Sequence, residues 1–230
     1  MAKDKKHNQT DNLTEVESAL TSTEQFLESN QKLISIVLGS IVVIAVGYLA
    51  LNKFYIEPRN KDAQDQMFKA QNYFEKDSFN LALNGDGSNL GFLDIIDDFG
   101  STDAGNLSNY YAGISYLHIG QFDKAIDYLK KFDTNDALLE PISIGAQGDA
   151  QLELGKTEKA LELYTKAYKT NENGLTAPIY MLKAGQLLEN TNKGAEALKI
   201  YETIKQKFPE STEGRSIDKY IARAKLKMNS

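Results

Sequence analysis

The sequence predicts an all-α protein in which one transmembrane helix precedes a solenoid of stacked helix pairs. Three observations predict this fold class. Residues 33–51 form an uncharged apolar run, residues after 61 show hardly any strand-type alternation, and small and aromatic residues recur in a repeated pattern. The net charge of −6 argues against a nucleic-acid-binding protein, and the absence of cysteine excludes disulfides and thiolate metal sites.

Residues 1–32 are predicted to form a polar cytoplasmic tail. They carry four lysines against six acidic residues, so the tail is net acidic. An apolar stripe at helical spacing, formed by Leu13, Val16, Leu20 and Leu27, is narrow and interrupted. A cleavable signal peptide fits this segment poorly, because its first region would be short and basic.

Residues 33–51, LISIVLGSIVVIAVGYLAL, are predicted to be a transmembrane helix. Nineteen helical residues span about 28 Å, which is close to the thickness of the hydrocarbon core of a bilayer. Lys32 precedes the run, and Phe54 and Tyr55 follow it, as in an interfacial anchor. The basic residues on the two sides are balanced, so charge alone does not determine the topology.

A connector is predicted at residues 52–61, where Pro58 occurs, and a repeated pattern follows it. One copy runs from Gly113 through Tyr116, Gly120, Phe122, Ala125 and Leu129, and the same offsets fit from Gly148 and from Gly185. The equivalent alanines, Ala125, Ala160 and Ala197, are 35 and 37 residues apart.

The pattern has a physical explanation as an antiparallel helix pair. Small residues at the crossing let two helix axes approach closely, while large residues fill the space around them. Gly120 and Gly155 fall where the first helix ends, a position that favours left-handed backbone. No single pair has a core of its own, so the units are predicted to stack into a solenoid.

This order of small, aromatic, glycine, aromatic, alanine and aromatic residues resembles the tetratricopeptide repeat. The resemblance covers residues 62–209 and is most specific in GDAQLELGKTEKALELYTKA. In the third unit, Asn192 and Gly194 replace the expected glycine and aromatic residue. Residues 210–230 are then predicted to be a capping helix and tail. The basic residues near its end, such as Arg223 and Lys227, are attributed to the helix dipole and to solvation.

An additional unit precedes these three, and its second helix is predicted to be delayed by a loop. The pattern fits upstream as far as Ala82, but the next key alanine, Ala125, follows only 43 residues later. The excess lies at NGDGS, residues 84–88, because these turn dipeptides are typical of loops. Beyond the loop, GFLDIIDDFGS parallels KIYETIKQKFPES, with Phe99 in the place of Phe208.

The same loop alternates carboxylates and amides in the manner of a calcium-binding loop. An EF-hand loop that began at Asn84 would have glycine at its sixth position and glutamate at its twelfth. Asn89 and Ile95 occupy these positions, so we expect no metal site here.

No combination of residues predicts catalysis, and we expect neither enzymatic activity nor a cofactor. The candidate site is instead the concave groove that stacked repeats form. By the repeat register, the groove residues are Leu107, Tyr110, Ile114, Ile142, Asp149, Ile179, Leu182 and Gln186. This groove is apolar and aromatic, suited to a helix or an extended segment, and the basic and amide residues of a carboxylate clamp are missing from it. Two occupants remain open, namely the C-terminal helix of the chain itself and a partner protein.

An amino-terminal anchor followed by a short tetratricopeptide solenoid also resembles the YfgM family of bacterial inner-membrane proteins. That resemblance implies a single-pass inner-membrane protein whose C-terminal domain is periplasmic. It also implies association with the SecYEG translocon, with a membrane-anchored peptidyl-prolyl isomerase and with unfolded client proteins. The implied function is that of an ancillary translocon subunit that holds chaperones near emerging substrates. The alternative is a structural adaptor in an envelope assembly or cell-division complex.

Overall fold

A computed structural model describes residues 29–228 of the chain, and all regular secondary structure in this range is helical, as predicted. The predicted polar tail lies outside the described residues, except for 29–32. The helices are α1 (residues 29–51), a π-helical turn (Asn52–Ile56), α2 (Glu57–Glu75), α3 (Phe79–Asn84), α4 (Phe92–Phe99), α5 (Asp103–His118), α6 (Phe122–Lys131), α7 (Leu139–Glu153), α8 (Thr157–Thr170), α9 (Ala177–Asn190), α10 (Gly194–Lys207), α11 (Thr212–Ser216) and α12 (Asp218–Met228). The chain divides into two compact units, Met1–Pro58 and Arg59–Ser230.

The described part of the first unit contains α1, which carries the apolar run. Its large apolar side chains, Leu33 and Ile44 among them, are exposed. Among residues 29–228, the continuous helix Ser29–Glu75 is long and apolar enough to cross a membrane by length and composition. A soluble protein would bury such a helix against a core, because exposed apolar surface is unfavourable in water.

The stretch 52–61, which was expected to be a connector because of Pro58, is helical throughout. Proline lacks a backbone N–H, and its ring crowds the carbonyl four residues earlier. Immediately before Pro58 the helix widens into a π-turn, where the N–H of Glu57 bonds the carbonyl of Asn52. We attribute the continuity of the helix to this turn, since a π-turn relaxes the ordinary hydrogen-bond ladder locally.

In the second unit the pairs α5–α6, α7–α8 and α9–α10 pack in succession. In each pair the glycine of the first helix lies against the large side chain sixteen residues later. A Cβ atom added to the glycine would come within 2.3 to 2.7 Å of that side chain in Gly113–Leu129, Gly148–Tyr164 and Gly185–Tyr201. The key alanines Ala125, Ala160 and Ala197 are completely buried. The predicted repeat register is therefore confirmed.

The turns inside the pairs are also as predicted. Gly120 and Gly155 adopt φ values of 74° and 72°, the left-handed conformation that glycine adopts without strain. Asn192 occupies the equivalent place in the α9–α10 repeat with φ of 60°. Asp77 does so in the repeat that precedes α5, with φ of 55°. Asn and Asp are the residues besides glycine that tolerate this conformation best, so the substitution at Asn192 preserves the turn.

The first unit of the solenoid has its second helix in two pieces, α3 and α4, separated by the NGDGS loop. Ala82 from α3 and Phe92 and Ile95 from α4 are completely buried in one hydrophobic cluster. The loop was predicted, whereas the structure shows that it divides the helix into two pieces that contribute to the same core.

The predicted equivalence of Phe99 and Phe208 appears in the loops that follow them. Thr102 Oγ1 donates to the carbonyl of Phe99 at 2.7 Å and accepts from the backbone N–H three residues later at 3.0 Å. Ser211 Oγ donates to the carbonyl of Phe208 at 2.9 Å and accepts from the equivalent N–H at 2.9 Å. Both side chains act as N-caps of the next helix.

α12 packs on α10 at the end of the solenoid, with Ala224 completely buried. Arg223 donates to both oxygens of Glu189, at 2.6 and 2.8 Å, and Lys227 lies 3.2 Å from the same carboxylate. The Glu189 side chain is only 1% exposed, and it also accepts from the hydroxyl of Tyr201. Attributing Arg223 and Lys227 to the helix dipole and solvation was therefore wrong, because both side chains bind a buried carboxylate on α9.

Candidate interaction groove

The eight groove residues predicted from the sequence lie on α5, α7 and α9, the first helices of the three pairs. All eight remain at least partly exposed, and Ile179 is the most accessible apolar residue among them, at 39%. Leu107 packs against the hydrophobic cluster that contains Phe92, and Leu182 packs against a cluster that contains Tyr201. The groove residues therefore retain surface that a partner can contact.

The α5 part of the groove is aromatic. The Tyr110 ring lies 5.4 Å from the ring of Phe132 and 5.5 Å from that of Tyr111, measured between centroids. Burial raises the pKa of the Tyr110 phenol, so the group stays neutral under ordinary conditions. Half-buried aromatic side chains of this kind supply much of the binding energy of protein interfaces.

Asp149 and Gln186 are brought together in one cavity between α7 and α9, which we call the α7–α9 cavity. Its volume is about 260 Å³. Its lining residues are Asp149, Leu152, Tyr164, Lys183, Gln186, Leu187 and Asn190. Two of the predicted groove residues thus share a defined concavity.

An ion pair occupies one wall of this cavity. Lys183 Nζ contacts the two carboxylate oxygens of Asp149 at 2.6 and 2.7 Å, and the Tyr164 hydroxyl donates to the same carboxylate at 2.7 Å. The ammonium also lies 5.6 and 5.7 Å from the ring centroids of Tyr164 and Tyr180, within cation–π range. Burial, and secondarily the bond to Asp149, raises the pKa of the Tyr164 phenol.

Sequence reasoning missed two members of the groove, Lys183 and Asn190. Lys183 is paired with Asp149, so the prediction that the groove lacks a carboxylate clamp stays a prediction. A signal was available, because Lys183 follows Leu182 directly and Asn190 lies one helical turn after Gln186.

Ile179 lies apart from these residues, in a second and larger concavity of about 670 Å³. Leu175 and Phe208 also line it, together with residues of the turn that precedes α11. The sequence pattern did not predict this concavity, because loop residues outside the repeat register form much of its wall.

The NGDGS loop, residues 84–88, is held by hydrogen bonds to the Asp86 carboxylate. The Asp86 carboxylate accepts from the backbone N–H groups of Ser88 and Asn89, at 2.8 and 2.7 Å, and from the Tyr73 hydroxyl at 2.7 Å. These bonds, that of Tyr73 first, lower the pKa of Asp86 well below its usual range. Within residues 29–228, no group of three or more His, Cys, Asp or Glu residues is arranged to hold a metal ion.

Comparisons with known proteins agree with this geometry. The sequence model of the tetratricopeptide repeat matches residues 108–136 and 180–211. Crystal structures of the nearly identical tetratricopeptide-like repeats of a Podosopora anserina kinesin light chain, one of them a point variant, are similar in fold. Each has a TM-score of 0.57 and 14% identity, covering 74% of this chain and 88% of its own. No curated protein shows a significant match.

The chain therefore contains tetratricopeptide repeats, and its second unit has the fold of a tetratricopeptide solenoid. Such repeats indicate a scaffold for protein–protein interaction, built from units that bury a core only by stacking.

Proposed function

We propose that this protein is a membrane-anchored scaffold that binds a polypeptide partner in the groove formed by α5, α7 and α9. The observation that carries the proposal is the row of partly exposed apolar and aromatic side chains on these helices, among them Tyr110, Ile114 and Ile179. Concave apolar surface with a few polar groups is typical of peptide-binding sites.

The position of the C-terminal helix favours a partner over self-occupation of the groove. α12 packs on α10, the second helix of the last pair, whereas the groove residues belong to the first helices. Its basic residue Arg223 is engaged by Glu189 near the end of α9. The helix is therefore used to cap the stack.

The anchor is the second part of the proposal. Burying one large aliphatic side chain is worth about 1.5–3 kcal/mol, so a helix that exposes a continuous series of them needs an apolar environment. A bilayer supplies that environment for residues 33–51, with residues 62–209 as the repeat domain and 210–230 as its cap. The apolar length of the Ser29–Glu75 helix supports this assignment.

Within this class we propose an ancillary subunit of the SecYEG translocon in the bacterial inner membrane, with the solenoid in the periplasm. The partners would be the translocon, a membrane-anchored peptidyl-prolyl isomerase and unfolded clients. This assignment rests on the resemblance of an anchor followed by a short solenoid to the YfgM family. A structural adaptor of an envelope assembly or cell-division complex would use the same groove and anchor.

Protease accessibility tests the topology. Protease added to intact spheroplasts should digest the C-terminal domain, because residues 59–230 would be exposed on the outer side of the membrane. Digestion only after lysis would place the solenoid in the cytoplasm and reverse the proposed orientation.

Co-purification tests the groove. The wild-type chain and the Tyr110→Ala variant should be purified from gently solubilised membranes, and the recovered partners should be quantified by mass spectrometry. Tyr110→Ala should weaken the association by about 1–3 kcal/mol, because an aromatic anchor is removed from a concave surface. Recovery of translocon subunits or the isomerase supports the specific role, and recovery of envelope-assembly proteins supports the adaptor. Equal recovery of every partner by both chains would contradict the use of this groove.

A further inference from the structure

The two ends of the solenoid each expose a large apolar side chain. Among residues 59–228, the three most exposed large apolar side chains are Leu226 at 72%, Leu175 at 67% and Phe68 at 61%. Phe68 lies on α2, the first helix of the stack, and Leu226 lies on α12, the last. The terminal repeats of a solenoid ordinarily have a polar outer face, which keeps the stack soluble. Both ends of this stack depart from that rule.

Phe68 lies on the outer side of α2. The side chains that α2 buries in the core are Ala63, Met67 and Ala70. At 100° per residue, Phe68 falls about 130° from the centre of that buried stripe. Asp65 lies one helical turn before Phe68, is also exposed, and forms no ion pair within residues 29–228.

Leu226 lies on the outer side of α12. Ala224 is completely buried where α12 packs on α10, and Leu226 points about 160° away from it around the helix. Lys219 lies two turns before Leu226 on the same side. Its ammonium lies 4.9 Å from the centroid of the Tyr220 ring and has no carboxylate partner in the described range. Each end of the stack therefore presents an apolar side chain beside an unpaired charge.

The charges of the two ends are opposite in sign. Residues 59–100, the first helix pair, contain four basic and eight acidic residues. Helix α12 contains four basic residues and one acidic residue. Complementary potentials favour and orient an encounter, whereas like charges brought together oppose it. The acidic end of one copy is thus complementary to the basic end of another, and two identical ends repel.

We propose that copies of this chain associate head to tail, with α2 of one copy against α12 of the next. Phe68 and Leu226 bury each other in this contact, and Asp65 faces Lys219 beside them. The contact is heterologous because it joins two different surfaces, so further copies can add to either free end. It leaves the groove of α5, α7 and α9 open.

Two substitutions test the contact, because each removes one end of the stack. Phe68→Asp retains an intact α12, and Leu226→Asp retains an intact α2. Sedimentation velocity of the full wild-type chain in neutral detergent micelles should show assemblies that grow beyond the dimer with concentration. Each variant alone should associate at least about tenfold more weakly, as expected when one apolar side chain is no longer buried.

A mixture of Phe68→Asp and Leu226→Asp distinguishes a head-to-tail contact from a symmetric one. One intact α2 and one intact α12 remain in the mixture, so it should form a one-to-one dimer and nothing larger. Leu138→Asp is the matched control, because Leu138 is 39% exposed between α6 and α7, away from both ends. This variant should assemble like the wild type.

The charge pair has a separate test. Asp65→Lys and Lys219→Glu should each weaken assembly about two- to fivefold, because each substitution places like charges opposite each other. The chain that carries both substitutions should recover wild-type assembly, since the two charges are again opposite in sign. Added salt should weaken assembly of the wild type, because the contact is solvent-exposed at its edge.

Four outcomes overturn the inference. The wild type could stay a single chain at every concentration, or assemble equally well with Phe68→Asp and Leu226→Asp. The mixture of these variants could remain unassociated, which would indicate a symmetric contact, or assembly could require anionic lipid, which would assign α12 to a membrane surface. Thermal melts verify folding, and Phe68→Gln or Leu226→Gln replaces a variant that melts early. Partner recovery by Tyr110→Ala decides the proposed function separately, so the two can fail independently.

Discussion

Replacing Gly185 with alanine tests how closely α9 and α10 approach each other. The added Cβ would lie 2.3 Å from Tyr201 Cε1 and 3.0 Å from Cδ1 and Cζ of the same ring. Carbon atoms in optimal contact are about 3.5–4.0 Å apart, so the ring has to move by more than an ångström. Tyr201 is completely buried and donates to Glu189 at 3.1 Å, so movement of the ring endangers this hydrogen bond as well.

Gly185→Ala has two destabilising effects and one stabilising effect. Overpacking of a well-filled core costs about 1–3 kcal/mol, and weakening a hydrogen bond to a charged acceptor costs up to about 1.5–3 kcal/mol. Alanine is the better helix former by about 1 kcal/mol, which offsets part of this cost. We therefore expect the free energy of unfolding to fall by about 2 kcal/mol.

Gly194→Ala is the matched control for this substitution. Gly194 is the first residue of α10, and the nearest atom to its added Cβ is Met228 Cγ at 3.1 Å, on a flexible side chain. This variant should be as stable as the wild type or slightly more stable. Urea titrations of the full chain in detergent, followed by circular dichroism, measure both variants. If Gly185→Ala proves as stable as Gly194→Ala, the close approach of α9 and α10 is refuted.

Three further predictions concern other contacts. Ala160→Leu should lower the free energy of unfolding by about 1–3 kcal/mol because Ala160 is completely buried, whereas Lys159→Leu on the exposed side should cost much less; equal melting shifts would contradict the register. The bond to Arg223 is the main cause that lowers the pKa of Glu189. The ionised Glu189 carboxylate therefore stabilises the fold fully above the unfolded-state pKa, and this stabilisation disappears as pH falls through the folded-state pKa. Urea titrations should therefore show Glu189→Gln less stable than wild type at pH 7, with a gap that narrows below about pH 4.3, and a constant gap would contradict the ion pair. Millimolar calcium should leave the melting temperature unchanged, because the Asp86 carboxylate is already occupied by internal donors; a saturable rise that Asp86→Ala abolishes would reveal a calcium site.

The repeat architecture could be predicted because its requirements are local and steric. A glycine at a helix crossing and a residue that tolerates positive φ at each turn leave a visible pattern, as Gly148 and Gly155 show. The same reasoning located the loop at residues 84–88, because Ala82 and Ala125 are farther apart than one repeat length.

The polar contacts between repeats could not be predicted in the same way. The pairs Asp149–Lys183 and Glu189–Arg223 each join residues 34 positions apart, close to one repeat length. Which charged residues meet depends on how neighbouring first helices are rotated, and the pattern of small residues does not specify that rotation. A search for opposite charges one repeat apart would have found both pairs.

Helical continuity through Pro58 was also missed. A proline normally ends a helix, and a π-turn that accommodates it has no simple sequence signature. The concavity around Leu175 and Phe208 was missed for a related reason, since the conformation of loops decides its shape.

Site-specific photo-crosslinking in intact membranes tests most directly whether the groove of α5, α7 and α9 holds a partner. A crosslinking residue at Tyr110 or at Gln186 should capture the same defined membrane-associated protein. The same residue at Lys199, exposed on α10, should not capture it. Crosslinks from Tyr110 only to residues 211–230 of the chain itself, or equal capture from Lys199, would contradict the account.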